Sequence, residues 1–124
     1  MAHIEVGELV IVHCLNPKEK LWGELERLDQ IGVILRGLDL NSIEDWMRQL
    51  KNENDGYISP STVFIPMHRI ERVYLDESSL SAECFADRFA ASVGEDIRDA
   101  LRLSPGEKLR LDSTNPPEGS PQRD

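Results

Sequence analysis

His13 and Cys14 stand side by side in an apolar run, and a thiol next to an imidazole is the pairing that nucleophilic catalysis uses. Neighbours on a strand point to opposite faces, however, so this pair cannot pass a proton and the dyad reading fails. Glu24 and Glu26 are two residues apart, which on a strand sets both carboxyls on one face, as a paired acid and base would require. No neighbouring residue sets one of them apart from the other, and a solvated strand face is the simpler account. Gln30 and His68 are each read first as turn residues, Gln30 capping a strand connection and His68 satisfied within a tight turn, though the pair together is less easily dismissed. Asp29 is read as structural, its carboxylate tying down its own turn. Cys14 and Cys84 lack Cys-x-x-Cys spacing or a His cluster, so neither a disulfide framework nor a zinc site is indicated. There is no Gly-rich phosphate loop, and these residues point to binding rather than catalysis, with no cofactor.

The elements that position these groups follow from periodicity. Between Glu8 and Leu40 the chain is dense in Val, Ile and Leu and is broken by Asn16-Pro17-Lys18 and Asp29-Gln30, which predicts strands over Leu9–Leu15, Leu21–Leu28 and Ile31–Leu38 with short antiparallel connections. In the second strand Leu21, Gly23 and Leu25 alternate with Trp22, Glu24 and Glu26, giving one buried and one wetter face, with Gly23 at a bend. Ser42-Ile43-Glu44-Asp45 resembles a capping box, and Ile43, Trp46, Met47 and Leu50 share one helical face. A helix inserted at about 42–51 is therefore expected to cover an open end of a barrel, with Trp46 and Met47 in the core rather than in a partner groove. A polar loop covers 52–61.

Thr62–Ile65 and Glu71–Leu75 read as two further strands around the tight segment Pro66 to Ile70. Cys84, Phe85, Phe89 and Val93, then Ile97 and Leu101, repeat at helical spacing and predict two helices or one interrupted at Gly94. The expected organisation is a barrel over 1–77, an acidic helical extension over 78–112 in which Lys108–Leu111 forms a brief strand, and a Pro-rich disordered tail over 113–124.

Charge restricts the function classes. The 124 residues carry a formal charge of −9, which argues against a protein that coats nucleic acid. Residues 1–75 hold −4 of it and the much shorter stretch 76–107 holds −5. No apolar run approaches the roughly 20 residues of a membrane span, and the N-terminus lacks the basic flank and apolar stretch of a signal peptide, so a cytoplasmic protein is expected.

The stretch Gly23 to Leu35 resembles the first motif of the Sm-like proteins, most closely the bacterial Hfq type, in its Gly, its Asp-Gln step at 29 and 30 and its closing Ile34-Leu35. Ile65 to Val73 is similar to the second motif, in which a Lys-His pair precedes an Ile and the last strand; His68 and Ile70 carry the match. The resemblance spans about half of the chain. It implies a mainly β, five-stranded Sm-like (SH3-like) barrel with a short inserted helix and a C-terminal helical extension. It also implies ring homo-oligomers and single-stranded RNA held by the turns before the third and fifth strands. In this chain those turns supply Gln30, Ile31, Met67, His68 and Arg69, and the resemblance implies Gln30 on a base edge and His68 and Arg69 on phosphate or ribose oxygens. Ile31 stands where the family has a stacking aromatic, Met67 where it has a Lys, and Pro66 where it has a Tyr. The alternative expectation is an interaction or structural barrel of the same fold without RNA binding.

Overall fold

The computed structural model describes residues 4–52, 58–77, 83–94 and 96–102. Lys108–Leu111 and the tail over 113–124 lie outside them. Five strands follow the chain as β1 (Leu9–Cys14), β2 (Glu19–Leu28), β3 (Gly32–Asp39), β4 (Ser61–Pro66) and β5 (Ile70–Leu75). Three helices, α1 (Ile43–Asn52), α2 (Phe85–Val93) and α3 (Ile97–Leu101), complete the described elements, with single 3-10 turns at Leu40–Ser42 and Met67–Arg69. The β1–β2 turn is set by Asn16, whose φ of 54° is the left-handed conformation that Asn tolerates. Gly94 ends α2 with φ 90°, the usual use of Gly after a helix, and so splits the apolar stripe into two helices.

Every strand pairing is antiparallel, and the sheet order is β4-β3-β2-β1-β5. A barrel of these strands needs β4 to hydrogen-bond β5, and no such pairing is present among the described residues. The expected closed barrel is therefore not formed, and the resemblance to the Sm-like family fails with it: the fold is an open mainly β sheet with helices. Alternating apolar residues and a bending Gly specify a half-buried strand, whereas closure depends on strand tilt and stagger, which no local pattern encodes.

Two apolar clusters hold the fold, one on each face of the sheet. The first joins Leu9, Trp22 and Leu38 of the strands to Ile43, Trp46 and Met47 of α1, Phe89 and Val93 of α2, and Ile97, Ala100 and Leu101 of α3. Thus α1 covers a sheet face rather than a barrel end, and α2 lies with α1 and α3 over that face. The tilted ring contacts Trp22–Trp46 and Trp46–Phe89 run through its centre. The second cluster is made of strand residues alone: Val10, Val12, Cys14, Leu25, Val33, Leu35 and Ile65, with Val63 and Val73 of the two edge strands packed against it. Register shifts at His13/Cys14 and Leu25/Arg27 are bulges, which bend the strands that carry them.

Helical cover explains a second correction. Trp22 is fully buried and Glu24 is only 7% exposed, so β2 has no wet face at that point. Gly23 lies opposite Gly37, and a Cβ on Gly23 would stand 2.2 Å from the Arg36 carbonyl oxygen. Its role is close strand approach, which only a residue without a side chain permits.

Candidate binding surface

The turn between β2 and β3 is organised by Asp29. Its Oδ1 accepts the Ile31 amide at 2.9 Å and the Gly32 amide at 3.3 Å, while Arg27 Nε donates to Oδ2 at 2.8 Å. The backbone bonds, that to Ile31 foremost, hold the Asp29 carboxyl below the usual aspartate range. This turn is tied to the one before β5, since the Met67 amide donates to the Ile31 carbonyl at 2.8 Å. Ile31 is 68% exposed and Met67 38%; Phe64, at 52%, lies beside Gly32 on the same end of the sheet. Gln30 and His68 are exposed on these joined turns.

Arg69 does not belong to that surface. It turns inward, where Nε donates to the Leu15 carbonyl at 2.9 Å and Nη2 to the Pro17 carbonyl at 2.7 Å and to Glu19 Oε2 at 3.0 Å. Four of the five residues expected at the site therefore share a surface, and the fifth fastens the β1–β2 turn. What it presents is largely apolar, with one amide and one imidazole.

Sequence reasoning missed a second surface, on the helix-covered side of the sheet but at the far end of β1 and β5. The register places Lys20 opposite His13 and His13 opposite Arg72, and two residues along it places Ile11 opposite Tyr74. The His13 and Tyr74 rings meet edge to face at 4.9 Å, and Arg72 Nη1 donates to the Tyr74 hydroxyl at 2.9 Å. The available signal was the spacing of Arg72 and Tyr74, which period-two alternation sets on one face; their meeting with His13 and Lys20 needed the register.

The remaining polar contacts fasten helices to the sheet. Arg102 Nη2 donates to Glu24 Oε2 at 2.7 Å, while the buried Glu24 Oε1 has no hydrogen-bond partner among the described residues. Arg36 donates to the Leu101 carbonyl, Arg98 to the Gly7 carbonyl, and the Gln49 amide exchanges two bonds with Ile58. Cys14 lies in the second apolar cluster, its thiol pushed up first by burial, while His13 lies on the opposite face. The two cannot act together. Cys14 is not in a disulfide. Among the described residues no group of His, Cys, Asp and Glu is placed to hold a metal, and no helix is long and apolar enough to cross a membrane.

Fold and surface together define an open five-stranded antiparallel sheet, covered by helices on one face, with no further strand paired to either edge among the described residues. Comparison with protein-family models, with curated proteins and with solved structures gave no match to this chain.

Proposed function

We propose that this chain is a non-catalytic interaction module that assembles with copies of itself by adding strands at the two open edges of its sheet. The observation that carries this reading is the pair of edges themselves, β4 and β5, consecutive in the chain yet at opposite ends of the strand order. The bond from the Met67 amide to the Ile31 carbonyl sets the phase of the β3–β4 ladder, so Thr62 and Phe64 turn their N–H groups outward. On β5 the bond from the Asp76 amide to the Leu9 carbonyl likewise leaves Val73 and Leu75 with outward donors. An edge of that kind is a template for another strand. Because the two edges differ, contact between copies is head-to-tail, which closes into a ring where the rotation permits.

The exposed Ile31, Phe64 and Met67 at the end of β4 support protein contact over RNA contact at the turns, since Arg69, the strongest cation expected there, is spent on its own chain. Gln30 and His68 alone speak for single-stranded RNA at that surface. Pro66 faces Gly32 at a position outside the ladder bonds, so its missing N–H removes a donor from the open edge without weakening the sheet. A buried Cys14 thiol outside any disulfide fits a reducing, cytoplasmic setting.

Light scattering of the full chain over a range of concentrations tests the reading: an oligomer is expected. Thr62→Pro removes an outward donor while leaving the β3–β4 ladder whole, and is expected to yield a folded monomer. A wild-type chain that stays monomeric at every concentration would overturn the proposal.

A further inference from the structure

The row Lys20, His13, Arg72 and the neighbouring Tyr74 combine charge and flat rings at one place. Lys20 and Arg72 are exposed, and Lys20 makes no ion pair among the described residues. Arg72 has one carboxylate beside it, Glu71 at 3.3 Å, and its guanidinium carbon lies 5.9 Å from the Tyr74 ring centroid. Tyr74 is 43% exposed. His13 is held below its usual pKa, first by burial and then by Lys20, with Arg72 adding to the effect and Glu71 opposing it. Two cations, Lys20 and Arg72, thus flank His13 against the single carboxylate of Glu71 among the charges acting on it, although the whole chain carries −9.

We propose that this row binds a nucleotide, with the phosphate between Lys20 and Arg72 and the base against the exposed Tyr74 ring and the half-buried His13 ring beside it. A bare phosphate uses the cations and leaves the rings idle. An apolar ligand covers the rings but strips water from two charges without replacing it. A flat heterocycle carrying an anion is the chemistry that engages both, by stacking and by charge-assisted hydrogen bonds. The same chemistry comes from a free mononucleotide or from one residue of a single strand, and the two are separable by affinity. This inference does not depend on self-assembly, which uses the strand edges.

The test is an NMR titration of the full chain, following the His13 and Tyr74 ring signals, with AMP in one arm and a short oligoadenylate in the other, at low and at physiological salt. Saturable shifts of both rings are expected. Tyr74→Leu keeps an apolar residue on the strand and removes the ring, and should weaken binding about tenfold, the scale of one base-aromatic stack. Lys20→Gln, at an exposed position, should weaken binding and flatten its salt dependence. Equal affinity per site in the two arms assigns a free nucleotide; an oligonucleotide that binds more than about tenfold tighter assigns a strand. The proposal is overturned if neither ligand gives a saturable shift at low salt, or if both variants bind as the wild type does.

Discussion

The indole N–H of Trp22 donates to Asp76 Oδ2 at 3.1 Å across 54 residues of chain, and the same carboxylate accepts the Phe85 amide at the start of α2. One side chain thereby joins β2, the end of β5 and the first turn of a helix whose own N-cap residue, Cys84, makes no side-chain cap. Asp76 does the capping from a distance, which is what fixes α2 over the sheet.

Removing that carboxylate should be costly. Asp76→Ala loses a helix cap and leaves the Trp22 N–H without its acceptor, so a loss of about 1–3 kcal/mol is expected in urea unfolding. Burial pushes the Asp76 carboxyl above its usual range, outweighing the hydrogen bonds from Trp22 and the backbone. The folded state therefore takes up this proton before the unfolded state does as pH falls. The linked stabilisation is complete below the ordinary aspartate value of 3.8 and is lost as pH rises through the higher folded value. Asp76→Asn should abolish that slope in a comparison of unfolding free energy against pH.

Asp29 acts with the opposite sign. Its pKa is lowered, chiefly by the Ile31 amide, so the ionised form stabilises the turn above the unfolded value of 3.8 and this contribution disappears as pH falls through the depressed folded value. Asp29→Asn, which keeps an acceptor oxygen, should lower the melting temperature less than Asp29→Ala, and both should flatten the acid limb of melting temperature against pH.

Arg102 should matter more than an ordinary surface arginine. Arg102→Ala leaves the Glu24 carboxylate without the cation that meets it at 2.7 Å, and Glu24 is shut in by the helices. A loss of about 1–3 kcal/mol is expected, reduced from the fully buried case because Arg102 itself is half exposed. Arg48→Ala, which breaks an exposed pair with Asp45 within α1, should cost under about 0.5 kcal/mol. Chemical denaturation of the two variants side by side checks the contrast.

The facing glycines of β2 and β3 should tolerate no side chain. A Cβ on Gly37 would stand 1.9 Å from the Trp22 carbonyl oxygen, backbone that has nowhere to move without parting the strands. Gly23→Ala and Gly37→Ala are each expected to destabilise by at least about 1–3 kcal/mol in unfolding measurements.

Strands and helices were legible in the chain because their signals are local. Runs dense in apolar, β-branched and aromatic residues placed β1 to β5, helical spacing placed α1 and the pair α2 and α3, and the residues Asn16, Asp29 and Gly94 marked where each turned or stopped. The same reasoning separated His13 from Cys14 and assigned Asp29 to its own turn, since both are matters of neighbouring residues. Tertiary structure alone decided that β4 and β5 do not pair with each other among the described residues, that Glu24 is buried, that Arg69 folds back onto Leu15 and Pro17, and that Lys20, His13 and Arg72 form one row. Each of these depends on register and on which element covers which face, between residues far apart in the chain. Alternation tells a strand which side is apolar, but not which strand lies beside it or what shields that side from water.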